Sequence, residues 1–247
     1  MARESQDFDG DPRAFRTTHW PIVLAAGDSA SPDKTQALNR LCRSYWYPLY
    51  GYVRQRGYTE HDAQDLTQAF FAHMLKGDGL RNVGQRKTRF RSFLLTAISN
   101  FLADEHDRRS AQKRGGKETI ISFDAHEAEE RYQLEPVHSE TPERIFDRRW
   151  GTTLLDCTLK RLEDEFIADG KAALLEQLRE FIIDGATDRT YAQAGAAIGM
   201  SEEAVKKAAQ RMRHRYQAIL REEIAHTVTT TGEIDEELRH LWSVLQA

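Results

Sequence analysis

The sequence predicts an all-α protein made of two small helical domains joined by an acidic linker. Apolar residues recur at i, i+3, i+4 and i+7 in successive segments, which is the spacing of amphipathic helices. Charge is distributed in blocks: residues 118–184 carry 17 acidic and 8 basic side chains, whereas residues 1–117 and 185–221 are net basic. A chain of 247 residues with 40% hydrophobic content is large enough for either one large or two small domains.

Composition also excludes several classes of protein. The N-terminal residues contain no apolar stretch typical of a secretory signal, and no apolar run approaches the roughly 18 residues that would span a membrane. Cys42 and Cys157 are the only cysteines and imply no disulfide framework. We therefore expect a cytoplasmic protein that does not bind a membrane.

The first domain is predicted to span residues 19–114, after a polar, disordered tail at residues 1–18. A short helix near Trp20 should precede a longer one that starts at about Asp33. Pro48 lacks an amide donor and should break or kink that longer helix.

The next helix should be capped by Thr59, with Asp62 as the acidic counterpart three residues later. Its inward face is predicted to consist of Ala63, Leu66, Phe70, Phe71 and Met74.

A third helix dominates the domain. Its apolar face is predicted to contain Phe90, Phe93, Leu94, Ala97, Ile98, Phe101 and Leu102. Residues 80–117 around it hold ten basic and three acidic side chains, a balance that suits a polyanion with unstacked bases. A core helix with solvated basic ends would give the same pattern.

A polar, acidic segment at residues 115–140 is predicted to be the linker, with an ordered turn at most at residues 120–123. The second domain should occupy residues 141–226 and begin with a helix capped by Thr141. Residues 227–247 should form a C-terminal helical extension that packs on this second domain.

Near the end of the second domain, the spacing of Gly195, Gly199 and Val205 fits a helix-turn-helix. Ser201 should cap the long second helix, which carries six basic and no acidic residues between Val205 and Arg221. This pattern favours DNA binding, although a helical hairpin with a solvated basic face would also match.

Three motifs together resemble bacterial RNA polymerase sigma factors of the extracytoplasmic-function (ECF) group. DAQDLTQAFF at residues 62–71 is similar to their acidic helix that binds the polymerase clamp, and FRSFLLTAISNFLADEHDRR at 90–109 is similar to their −10 helix. YAQAGAAIGMSEEAVKKAAQRMRHR, which begins at Tyr191, is similar to their −35 helix-turn-helix. The resemblance implies a factor that binds core polymerase, reads the −35 and −10 promoter elements and helps melt the −10 element.

The resemblance also implies sites. The core-polymerase-binding residues would be Asp62, Asp65, Leu66, Gln68 and Ala69. The −10 DNA residues would be Arg89, Arg91, Asn100, Asp104, Arg108 and Arg109, with a base pocket in the loop from Gly77 to Thr88. The −35 DNA residues would be Ser201, Lys206, Lys207, Gln210, Arg211, Arg213 and Arg215, the last two on phosphates.

The implied partners are promoter DNA and core RNA polymerase, through its β′ clamp helices and β flap. Gln64 and Ala69 replace residues that are usually acidic in the clamp-binding motif. A phosphate on Thr67 would restore that charge, so control by a Ser/Thr kinase, by an anti-sigma factor or by the C-terminal helix all stay open.

We expect no enzyme, cofactor or metal site. His61 and His73 are too far apart for one metal-binding helical turn, and no phosphate-binding loop or nucleophile motif occurs. The alternative function is a helix-turn-helix regulator that binds DNA without core polymerase. No chemistry could be assigned to residues 131–150.

Overall fold

The computed structural model describes residues 34–76, 89–111, 125–134, 140–183, 189–228 and 230–246. Every regular element within these ranges is an α-helix, so the predicted all-α fold class is confirmed. The predicted tail, the short helix near Trp20 and the loop from Gly77 to Thr88 lie outside the described residues. None of the described helices is long and apolar enough to cross a membrane.

The described helices are numbered here in chain order. They are α1 Lys34–Gln55, α2 Glu60–Lys76, α3 Phe90–Ala111, α4 Ala125–Leu134, α5 Pro142–Ala168, α6 Ala172–Leu178, α7 Glu180–Ile183, α8 Tyr191–Ile198, α9 Glu202–Ala225 and α10 Thr231–Leu245.

Helix α1 is the centre of the first core and continues through Pro48. Tyr45, Leu49 and Tyr52 beside the proline are at most 1% exposed. Proline inside a helix typically costs about 3 kcal/mol, and burial of several large side chains can offset a cost of that size. The predicted break at Pro48 is therefore wrong.

Helices α2 and α3 pack on this core with the faces that the sequence predicts. The Thr59 Oγ1 atom accepts a hydrogen bond from the Asp62 amide at 3.2 Å, so the predicted cap of α2 is confirmed. The five residues predicted to face inward on α2 are all buried. On α3 the buried residues are Phe90, Leu94, Ile98, Phe101 and Leu102.

The segment predicted as a linker contains helix α4. Ala128 and Glu129 of α4 are buried. The Glu129 carboxylate accepts hydrogen bonds from the Tyr50 hydroxyl and from Arg54, whose Nη2 lies 2.9 Å away. The prediction of at most a turn in this segment is wrong, because a polar helix with weak periodicity is fixed here by charged contacts to α1.

Helix α5 belongs to two hydrophobic cores. At 27 residues it is about 40 Å long. Phe146, Trp150 and Leu154 in its first part join the core around α1. Leu162, nearer its end, joins a second core with residues of α6, α7, α8 and α9. One continuous helix therefore connects the two cores, and the predicted domain boundaries stay a prediction.

Helix α10 packs away from the second core. Its residues Ile234 and Leu241 are buried with the side chains of α1 and α5 in the first core. The expectation that this helix packs on the second domain is confirmed for α5 and α9, which both contact it, but its acidic residues also meet the start of α3, which the sequence did not predict.

Candidate nucleic-acid interface

Helices α8 and α9 form a tightly joined pair. The Thr190 hydroxyl accepts from the Gln193 amide at 3.2 Å, while the Gln193 side chain accepts from the Thr190 amide at 2.8 Å, which together cap α8. Gly199 ends α8 with φ +68°, a left-handed conformation that favours glycine. A Cβ atom on Gly195 would lie 2.5 Å from the Met200 carbonyl oxygen, so the approach of the turn requires glycine there.

The first turns of α9 carry an exposed polar face. Lys206, Lys207, Gln210 and Arg211 are all exposed, and their spacing places them on one side of the helix. The hydrogen bond to Glu202 raises the pKa of Lys206, which keeps its ammonium group charged at neutral pH. Each lysine pairs with an acid of the previous turn: Lys206 with Glu202 at 2.6 Å, and Lys207 with Glu203 at 2.8 Å.

Three further residues predicted to contact −35 DNA have intramolecular roles. The Ser201 hydroxyl accepts from the Ala204 amide at 3.3 Å and caps α9. Arg213 donates to the Tyr191 hydroxyl at 2.6 Å and to the Phe181 carbonyl oxygen at 3.3 Å. Ser201 and Arg213 therefore both have hydrogen-bond partners inside the protein.

Arg215 is also held inside the protein. Its guanidinium donates to both oxygens of Glu165 at 2.7 Å, and this pairing raises the pKa of Arg215 further above its ordinary value. Glu222 accepts a third hydrogen bond at 3.2 Å. In this conformation Arg215 ties α9 to α5, which differs from the phosphate contact expected from the sequence.

Helix α3 presents a polar stripe to solvent. Asn100, Asp104 and Arg108 are exposed and follow one another at intervals of four residues. Arg108 pairs with Glu105 three residues earlier on the same helix. Arg109 belongs to the same helix, but its side chain lies outside the described part of the chain.

The two arginines at the start of α3 lie elsewhere. Arg91 is 6% exposed and pairs with Glu237 of α10 and with Asp147 of α5, the latter at 2.7 Å. Arg89 pairs with Glu236 at 2.8 Å and with Glu237 at 3.1 Å. Both arginines expected on −10 DNA are therefore occupied by carboxylates in this structure.

A cleft beside α3 was not predicted from the sequence. It has a volume of about 500 Å³ and separates the end of α1 from the middle of α3. Its lining includes Arg56, Tyr58, Ser99, His106 and Asp107. No local pattern links these residues, because the two sides of the cleft are about 40 positions apart in the chain.

Helix α2 carries the expected polymerase-binding face. Asp65 is exposed and lies 3.6 Å from His61, while Asp62 is partly buried at the helix start. Gln68 and Ala69 are also partly buried, and Leu66 lies in the core beneath them. Sequence reasoning missed Glu60, an exposed acid in the first turn, although its position next to the cap was a usable signal.

Thr67 on the same helix is fully buried, and its hydroxyl donates to the Ala63 carbonyl oxygen at 2.7 Å. A kinase cannot reach this hydroxyl while α2 stays packed, and a phosphate would place charge in the core. The hypothesis of a phosphorylation switch at Thr67 is therefore wrong for this folded state. Thr67 lies four residues after Ala63 and three before Phe70, so the helical spacing already places it beside the predicted inward face.

Comparison with known proteins gives one family. The family model described as ECF sigma factor matches residues 28–222, which include α1 to α8 and most of α9. Searches among curated proteins and among solved structures gave no significant match. Since the family model covers most of the chain, this protein belongs to the ECF sigma factor family and acts with RNA polymerase in transcription initiation.

Proposed function

We propose that this sigma factor reads the −35 promoter element with α9 and the −10 element with α3, and that it helps to melt the −10 element. The observation that carries the proposal is that two helices on different cores each present an exposed polar stripe, within a single family match that includes both. One stripe alone would also suit an ordinary DNA-binding protein.

The proposed −35 contact uses the exposed face of α9. Lys206, Lys207, Gln210 and Arg211 would enter the major groove, where each base pair offers a distinct set of donors and acceptors. The guanidinium group of Arg211 has the geometry for bidentate hydrogen bonds to the O6 and N7 atoms of one guanine. The tight turn at Gly199 supports this role because it fixes the start of α9 against α8.

The proposed −10 contact uses Asn100 and the stripe that continues through Asp104 and Arg108. Melting requires bases to leave the stack, and a polar and aromatic surface must offset the cost of a few kcal/mol per base. The cleft next to this stripe, with Tyr58 and Arg56 on its wall, supports a role in holding an unstacked base.

ECF sigma factors bind core polymerase and promoter DNA and are often controlled by anti-sigma factors. We place the contact with the β′ clamp helices on the exposed acids of α2, Glu60 and Asp65, and that with the β flap on the second core. The alternative function, a regulator that binds DNA without core polymerase, would give these acids no partner.

A reconstituted transcription assay tests the proposal. Core polymerase plus this chain is expected to start at promoters that core polymerase alone ignores. DNA binding by the chain with no association with core polymerase, and no promoter-specific transcript, would favour the alternative regulator.

Asn100→Ala tests the melting role within the same assay. We expect normal −35 binding but greatly reduced reactivity of −10 thymines towards permanganate, because the side chain next to the unstacked base is lost. Glu176→Ala changes an exposed position on α6, outside all three proposed faces, and is the control. Normal thymine reactivity in Asn100→Ala would refute this assignment.

A further inference from the structure

The C-terminal helix α10 lies beyond the residues that match the ECF family model. It nevertheless contacts the start of the proposed −10 helix, α3. Glu236 and Glu237 of α10 meet Arg89 and Arg91, which stand almost 150 residues earlier in the chain. An element outside the family's common region therefore covers a proposed nucleic-acid surface.

The charges in this contact are closely matched. Glu237 is 2% exposed; its Oε1 atom accepts a hydrogen bond from Arg91 Nε, and its Oε2 atom lies 3.1 Å from Arg89 Nε as an ion pair. Asp147 of α5 accepts from Arg91 on the other side at 2.7 Å and also lies 3.2 Å from His240 Nε2 of α10. Three carboxylates, counting Glu236, thus surround two guanidinium groups.

Apolar packing and the backbone fix α10 in the same place. Leu241 of α10 is fully buried and packs on α5 so closely that a Cβ atom on Gly151 would lie 2.9 Å from its Cδ1. The Phe90 amide at the start of α3 donates to the Thr227 carbonyl oxygen, in the connection between α9 and α10, at 3.3 Å. This bond satisfies one of the free amides at the start of α3.

The arginine donors used here are those that would otherwise bind phosphate. A guanidinium group presents the same fork of donors to a carboxylate and to a phosphate. Arg91 cannot reach nucleic acid while α10 covers it, and Arg89 keeps only part of its surface exposed. Buried ion pairs add little net stability because desolvation offsets their attraction, so a polyanion can replace the carboxylates of Glu236 and Glu237 at little electrostatic cost. The apolar contacts of α10 set the remaining cost of its release.

We propose that α10 is an acidic clasp that occupies Arg89 and Arg91 in the free protein and must leave before the start of α3 contacts promoter DNA. The inference rests on the proposed −10 role of α3. Because the clasp competes with DNA for the same donors, its release and nucleic-acid binding are coupled, and the affinity of the free protein for DNA is reduced by the fraction of closed molecules.

The test uses the full-length protein and a fluorescent 12-nucleotide single-stranded DNA of mixed sequence. Glu236→Gln/Glu237→Gln keeps the size of both side chains but removes their charge. Asp235→Asn is the matched control, because Asp235 is on the same helix and pairs with Arg221 at 2.7 Å, away from α3. Gly151→Val should displace α10 by a steric clash with Leu241 and changes no charge. It is the second test variant and replaces the double variant if that one folds poorly.

Hydrogen exchange measures release of α10, and fluorescence anisotropy at several salt concentrations measures DNA binding. We expect faster exchange in α10 in the double variant and in Gly151→Val. If about a tenth of wild-type molecules and nearly all variant molecules are open, the variants should bind DNA about tenfold more tightly. The salt dependence of binding should steepen, because in wild type salt weakens the ion pairs of the clasp as well as the DNA contacts and so offsets part of the loss of affinity. Asp235→Asn should resemble wild type in both measurements.

Two results would overturn the clasp: α10 that stays protected in both variants, or α10 that opens without a gain in DNA affinity. Failure of the proposed sigma-factor mechanism is recorded separately. It would appear as the absence of promoter-specific transcripts with core polymerase for wild type, the double variant and Gly151→Val alike.

Discussion

Identical side chains on one helix have different environments, as the arginines of α9 demonstrate. Arg211 is exposed, whereas Arg215, one turn later, is bonded to Glu165 and Glu222. Periodicity puts both on a basic helix, but the position of α5 determines which of them has the carboxylate of Glu165 within reach. A basic residue on a DNA-binding helix is thus a candidate contact only where no internal acid lies opposite.

Arg211→Ala is expected to weaken binding at a single −35 base pair by about 1–3 kcal/mol and to relax selection there, because one bidentate contact to a base is lost. Binding to a panel of −35 variants measures this effect. An equal loss on every variant would contradict a base-specific role.

Arg215→Ala is the matched control for that experiment. It should leave base selection unchanged but lower the free energy of unfolding by about 1 kcal/mol, a value reduced for the solvent exposure of the pair, about a third or more of each side chain. For a chain of this size the thermal midpoint should then fall by about 2–4 °C.

At the scale of elements, α4 shows how charge can fix a helix that has little apolar surface. Burial alone would raise the pKa of Glu129, but hydrogen bonds from Arg54, Tyr50 and Gln133 outweigh it and lower the pKa below its ordinary value of 4.5. The contact therefore stabilises the folded state fully above pH 4.5, and this contribution is lost as pH falls through the folded-state pKa.

Glu129→Gln should accordingly lower the stability of the protein at neutral pH, and the difference from wild type should shrink below about pH 4.5. Urea unfolding between pH 7 and pH 3 measures the difference. Glu130→Gln is the control, because Glu130 is the exposed neighbour on the same helix. A stability difference that did not vary with pH would show that the charge of Glu129 is not what holds α4.

At the scale of the whole molecule, one long helix connects the two cores that carry the candidate DNA helices. Helix α1 packs on α5 and α5 packs on α9, and packed helices lie about 8–10 Å apart. The proposed −10 and −35 elements are centred about 25 base pairs apart, which is about 85 Å along DNA. Helix α5, which connects the two cores, is about 40 Å long, less than half of that separation.

We therefore expect the two cores to separate when the protein joins core polymerase on a promoter. Energy transfer between dyes on Ala103→Cys and Ala196→Cys, both exposed positions on α3 and α8, should be efficient in the free protein and fall in the complex. Burial raises the pKa of Cys42 to about 12 and also raises the pKa of Cys157, which favours selective labelling of the new thiols. Transfer that stayed constant on complex formation would contradict the expected separation.

The sequence by itself determined the features that depend on neighbouring residues. The caps at Thr59, Thr141 and Ser201 follow from a side-chain oxygen placed three residues before an unpaired amide. The buried face of α3 follows from helical spacing, and the family follows from three local motifs that a family model also detects. These are interactions within about one turn, or patterns that repeat with the turn.

Only the tertiary structure decided which charged residues stay available. Arg91, Arg215 and Glu129 each have a partner about 50 to 150 residues away in the chain, namely Glu237, Glu165 and Tyr50, and no periodicity encodes such pairings. Helix α5 is a second example. Its local pattern predicts a helix, but its membership of two cores depends on the helices that pack along its length. Burial and ion pairing are properties of the packed molecule, so the position of α10 over the start of α3 could be found only there.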